Sequence, residues 1–392
     1  MKKARKILVV MILSVMGLCL LLVVASALSN LGIPQRSAVV ETLSEHDKIR
    51  MAETLHLHQT VGNNVWKSWG GADIPAIAYN ESYAFLVGYP DPPDGWVKVP
   101  AGGQRGGPWE VVQGDTFNGQ PYYRQVLPDS DITPENFAVL VGERWAFSLQ
   151  TRDWAKIRLA QIIQQDLPPI LRPIFPYRLF VGQALGNDDK YISLSAHEAF
   201  HAWQGMIAPE KLAAAENINR EFEHRYPWDD ASLQADWQTE LDVLADALRS
   251  TDSALTIELV RQFLALRASR RASADLAPEL IAYEQQREWL EGLARYAELE
   301  IWRQAYTGNY TPLPDTSMLA DFDDYTGFES RWSQEIQQMR RMAGDEGDGR
   351  FYYTGMAQAY LLDQLMPEWK TSALDEDVWL EDLLEGAVKG QR

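Results

Sequence analysis

Three textures of apolar and polar positions follow one another along the chain. Ile7 to Leu28 is almost wholly apolar, and a run of about 20 such residues is enough to cross a bilayer as one helix. Residues 29–44 form a polar tether, and Glu45 to Gly62 then repeats its apolar positions at helical spacing. Next come β-branched and aromatic runs at Ile74 to Asn80, Tyr83 to Tyr89, Trp109 to Gln113, Tyr122 to Leu127 and Phe137 to Leu149. Turn-rich pieces such as Pro90 to Gly95 and Gly102 to Gly107 separate them, which predicts a small sheet, antiparallel because its connections are short. From Asp153 the spacing returns to three and four. Helices are expected over Asp153–Leu167, Ser193–Met206, Pro209–His224, Ala231–Arg249, Asp252–Ser269 and Leu276–Tyr306. Three more are expected over Phe328–Met342, Phe351–Leu365 and Leu374–Ala387. The fold class this pattern predicts is α+β, with an N-terminal segment 1–28, a sheet-rich part 29–150 and a helical part 151–392.

Composition changes this picture in four places. Lys2, Lys3, Arg5 and Lys6 precede the apolar run, so the positive flank is expected to stay in the cytoplasm and the body to be exported. Ala25-Ser26-Ala27 offers a signal-peptidase site, but the apolar run exceeds the 7 to 15 residues of a cleavable signal; a retained single-pass anchor is the preferred expectation, secretion after cleavage the alternative. The net charge of -19 disfavours nucleic-acid phosphates as partners. Cys19 is the single cysteine, which excludes an internal disulfide and a cysteine zinc site, and Met16-Gly17-Leu18 before it does not match a lipoprotein signal. The abundant Trp and Tyr are read as packing residues.

The candidate chemistry lies in His197-Glu198-Ala199-Phe200-His201. Positions four apart share a helix face, so both imidazoles converge on one point, while Glu198 is displaced towards a water on a bound metal. The same residues also fit a capping box, with Ser195 starting a helix and Glu198 reaching back. A closed zinc site needs a third protein ligand. His224 sits at a helix end and reads as a surface histidine; His56 and His58, two apart, read as surface or packing residues. Glu240 and Glu291 are the acidic candidates, Glu291 because Gly292 and Ala294 beside it permit close approach to the motif helix. Glu284, Glu288, Glu298 and Glu300 read for the most part as a solvated helix face. Arg267, Arg270 and Arg271 likewise read as a solvated basic face, a substrate-carboxylate site being the alternative.

His197-Glu198-x-x-His201, followed by Trp289-Leu290-Glu291-Gly292-Leu293-Ala294 and then Phe351-Tyr352-Tyr353-Thr354-Gly355-Met356-Ala357, resembles the ordered motifs of the gluzincin metallopeptidases. The likeness is to the aminopeptidase N and leukotriene A4 hydrolase group. It implies a zincin-like catalytic domain in which His197, His201 and Glu291 ligate Zn2+, Glu198 is the general base, and Tyr352, or its neighbour Tyr353, steadies the oxyanion. The gap between His201 and Glu291 is longer than in that group, and its Gly-x-Met-Glu-Asn segment has no counterpart here. The expected function is hydrolysis of a peptide or protein substrate by a membrane-anchored, extracytoplasmic zinc metallopeptidase. A zinc hydrolase of a non-peptide bond and a catalytically inactive zincin-fold binding protein are the alternatives. Phe137 to Leu149 is a candidate edge for an extended peptide.

Overall fold

The computed structural model describes residues 2–100, 102–127 and 132–390; the side chains of residues 2–10, 12 and 19, and with them the basic flank and Cys19, lie outside that description. One sheet is built from β1 (Ala76–Tyr79), β2 (Tyr83–Val87), β3 (Trp96–Val97), β4 (Gln104–Arg105), β5 (Glu110–Val111), β6 (Tyr123–Val126), β7 (Phe137–Val141) and β8 (Arg144–Gln150). Its order is β4-β3-β7-β8-β1-β2-β6-β5. The sheet is therefore larger than expected, and it is mixed. After a long excursion the chain returns to lay β8 parallel to β1, with Phe147 opposite Ala76, and short connections elsewhere do not constrain that pair. The Phe137 to Leu149 run is a hairpin rather than one strand. Gly142 turns it at φ +60°, where a Cβ would also press on the Pro93 ring.

The helices are α1 (Lys2–Asn30), α2 (Glu45–Val65), α3 (Arg152–Asp166), α4 (Tyr177–Leu185), α5 (Asp188–Ile207), α6 (Pro209–Phe222) and α7 (Ala231–Arg249). They continue as α8 (Ser253–Ser273), α9 (Pro278–Arg287), α10 (Leu293–Thr307), α11 (Phe328–Met339), α12 (Gly349–Leu365), α13 (Trp369–Ser372) and α14 (Leu380–Lys389). The molecule is thus mixed α/β and mainly helical. α4 was not anticipated, because it is short and bounded by Pro176 and Gly186. Of the helix expected over Leu374–Ala387 only the second half forms, as α14, and the short α13 lies before it. The expected Leu276–Tyr306 helix is interrupted by one wide π turn at Glu288–Gly292.

α5 crosses the sheet beneath β7 and β8, and Gly205 lets the Trp145 ring lie directly on its backbone. On its other side Trp66, Trp69, Phe200, Trp203 and Trp369 form one block with ring centroids 5.2–5.6 Å apart, as expected of packing aromatics. A continuous apolar core runs from α2 and the sheet through α5, α7, α10 and α12.

Both polar helix faces expected to be solvated are buried instead. Arg267 joins Glu240, Glu288 and Glu381, and Arg270 and Arg271 hold Glu284. Glu298 pairs with Arg295 at 2.5 Å and Glu300 with Arg303 at 2.5 Å. The partners of Arg267, Arg270 and Arg271 come from other helices, so those charges looked solvent-facing when α8 was read alone, whereas Glu298 and Glu300 pair three residues away within α10.

Candidate metal centre

α5 starts at Asn187, whose Oδ1 accepts from the Lys190 N–H at 3.1 Å, with Asp188 and Asp189 in its positive first turn. This overturns the capping box. Ser195 is two turns inside the helix, its hydroxyl donating to the Tyr191 carbonyl at 2.9 Å. His197 and His201 then emerge on the same face, with Nε2 atoms 3.1 Å apart. Glu291 arrives from the π turn, a widened turn of the kind that often marks functional sites. Its Oε2 stands 3.4 Å from His197 Nε2 and 3.2 Å from His201 Nε2. Ligand atoms bound at about 2.0–2.1 Å to a tetrahedral zinc are about 3.3–3.4 Å apart. This triangle fits that spacing.

Glu198 also falls within the cluster, where ligand atoms of His197, Glu198 and His201 lie within 4.8 Å of one another. The triangle with Glu291 is the tighter grouping, and Glu198 stands beside it. Glu240 is not brought to the histidines; both its oxygens are taken by arginine Nε atoms at 2.8 Å. His224 is exposed, and His58 is buried against Trp69.

The surrounding contacts orient each ligand. Gln204 Nε2 donates to the carbonyls of Trp289 and Leu290 at 3.2 and 3.4 Å, so its Oε1 accepts from His201 Nδ1 at 2.9 Å. That places the His201 proton on Nδ1 and leaves a lone pair on Nε2 for a cation. His197 Nδ1 faces Glu298 Oε2 at 3.5 Å, and Glu291 Oε1 accepts from Arg287 at 2.9 Å. Arg287 in turn binds Asp348 at 2.6 Å and Glu216 at 3.1 Å. Phe137, at the start of β7, lies on the His201 ring with centroids 4.5 Å apart.

Tyr352 stacks on His197 at 5.9 Å and 11°, its hydroxyl directed at Glu291. Tyr353 turns instead towards Arg295. The pairing of Gly292 with Gly355 makes this possible, because a Cβ on either would overlap the other's backbone. The small residue beside Glu291 thus admits α12, not the motif helix as expected.

The four central residues are at most 5% exposed, so their charges must compensate one another. Burial opposes a charged His197, but Glu291, Glu298 and Glu198 carry it up to about 10. Burial, helped by Glu291 and Glu298, pushes Glu198 up to about 8 against the pull of His197. Burial also opposes an ionised Glu291, yet His201, Arg287 and His197 hold it well below the usual carboxylate range. The cluster thus gathers Glu198, Glu291 and Glu298 around His197 and His201, a donor set that suits a cation.

Gln204, Glu298 and Arg287 were missed in the sequence, although each carries a spacing signal. Gln204 is three residues after His201, Arg287 four before Glu291, and Glu298 two turns after it, all same-face positions. No family model matches the chain, and no curated protein or solved structure does either.

Proposed function

We propose that the chain is a zinc-dependent metallopeptidase of the gluzincin type, anchored by α1 with its body on the extracytoplasmic side. The observation that carries this reading is the triangle of His197 Nε2, His201 Nε2 and Glu291 Oε2, with Glu198 beside it and Tyr352 stacked over it. His197, His201 and Glu291 would hold Zn2+, which when bound acidifies a water from a pKa of about 16 to nearer 7 and polarises a carbonyl.

This chain's residues do the rest. Glu198 accepts the water's proton and passes it to the leaving amine. Tyr352 donates to the carbonyl oxygen as it gains negative charge. Gln204 fixes the His201 imidazole, Glu298 faces Nδ1 of His197, and Arg287 keeps Glu291 ionised and aimed. β7 lies between β3 and β8 in the sheet, but among the described residues it pairs with β3 only at Val97–Leu140, and the Phe137 end beside His201 is where an extended peptide would pair.

α1 contains Leu13–Asn30 with a mean hydropathy of 2.1, long and apolar enough to cross a membrane or to serve as a signal. The anchor reading is supported by the way the body docks directly at the end of that helix. Asn30 Nδ2 donates to the carbonyls of Pro173 and Phe175 at 3.0 and 2.8 Å.

The test is turnover of a peptide library by the zinc-loaded protein and its Glu198→Gln variant. Cleavage by the first and none by the second supports the reading. Ester substrates hydrolysed while all peptides are left intact would move it to a non-peptide bond.

A further inference from the structure

Where α1 meets the body, α3 and α4 enclose a cavity of about 600 Å³ with an adjoining lobe of about 310 Å³. This is within the range of sites that enclose a small molecule. The two lobes share Ile33, Pro34, Ile157, Ala160 and Tyr177. Tyr177 is 4% exposed, and its hydroxyl has no hydrogen-bond partner among the described residues. Asn30 Oδ1, in the smaller lobe, and Arg152 Nε, in the larger, are equally unsatisfied. Three orphaned polar atoms around one cavity call for a polar occupant.

The charge of this corner is opposite to that of the chain. Between Arg152 and Arg178 five basic residues stand against two acidic ones, in a protein of net charge -19. Asp153 and Asp321 also line the larger lobe, but Asp321 is paired with Arg152. Lys156 and Arg36, both exposed and lining it, make no ion pair among the described residues, and Arg178 is bonded only to the Gly32 carbonyl at 2.6 Å. Within two residues of lining positions along the chain, Leu31, Ile170, Leu179 and Phe180 are 83, 80, 66 and 46% exposed. Exposed apolar side chains beside a basic cavity, at the foot of a helix able to cross a bilayer, are the combination that suits an anionic membrane surface.

We propose that this cavity binds one anionic phospholipid of the membrane that α1 crosses. Its phosphate is held by Lys156, Arg36 and Arg178, its ester region satisfies Tyr177, and an acyl chain lies along Ile33, Ile157 and Val181. Leu31, Ile170, Leu179 and Phe180 rest among the neighbouring lipids. The inference rests on the anchor reading of α1 and is independent of the metal centre.

The experiment uses the full chain in nanodiscs of phosphatidylcholine, with and without phosphatidylglycerol, released into native mass spectrometry. The expected result is an intact chain, α1 included, carrying one phosphatidylglycerol. Retention should fall at least tenfold in Arg36→Glu/Lys156→Glu, whose exposed positions leave folding intact by thermal melt. Excess glycerol phosphate should not displace the lipid. An intact chain without adduct, equal retention of phosphatidylcholine, or displacement by glycerol phosphate would each overturn the lipid site. A mass beginning after Ala27 would overturn the anchor itself, and that is read separately from the adduct.

Discussion

At the scale of single residues, the division of labour around the triangle makes distinct mutations separable. Glu198 is not needed to hold the metal, so Glu198→Gln should keep zinc and lose turnover by about a hundredfold or more, since general-base catalysis contributes about 10²–10⁴. Paired elemental analysis and peptide kinetics check both halves. Gln204 acts only through His201. Gln204→Leu removes the acceptor that fixes the His201 tautomer and the tie from α5 to the Trp289 and Leu290 carbonyls of the π turn. Losses of this kind weaken metal binding by about 10–100-fold, measurable by chelator competition, while the pH profile of the remaining turnover should keep its shape.

At the scale of elements, close contact between the π turn and α12 is what seats Tyr352. Gly355→Ala forces the two backbones apart and should cost about 1–3 kcal/mol, as overpacking does, with a lower melting temperature and reduced kcat. Gly386→Ala, where nothing lies near the added methyl, is the neutral control. This scale is also where sequence reading succeeded and failed. The bounds of α7 and the positions of β1, β2 and β6 were legible because each carries its own period and its own turn residues. His197, His201, Glu291 and Tyr352 stood out through ordered motifs. The parallel pairing of β8 with β1 was not legible, since it depends on where a long excursion ends. Nor was the burial of Glu284, Glu288 and Arg267, because a charged helix face looks solvated until a second charged face packs on it. β3 and β4 are two residues each, too short to carry any alternation.

At the scale of the whole molecule, a buried ion network ties α7, α8, α9, α14 and the π turn together behind the metal centre. Its arginines hold Glu284 and Glu381 down at about 2 against the burial that would raise them. A carboxylate with a depressed folded pKa stabilises fully above its unfolded value, near 4.5, and loses that contribution as pH falls towards 2. Stability should therefore drop steeply between about pH 4.5 and 2, and urea titrations across that range should show a shallower drop for Glu381→Gln. Breaking one member of a buried pair costs about 3–5 kcal/mol, so Glu240→Gln should melt early and still bind zinc.

The central claim is that His197, His201 and Glu291 form one zinc site, and elemental analysis of the purified protein tests it most directly. One zinc per chain is predicted for the wild type and for Glu240→Gln, with loss in His201→Ala and in Glu291→Gln. A wild type free of zinc after reconstitution, or a Glu291→Gln variant that binds it as tightly as wild type, would contradict the account.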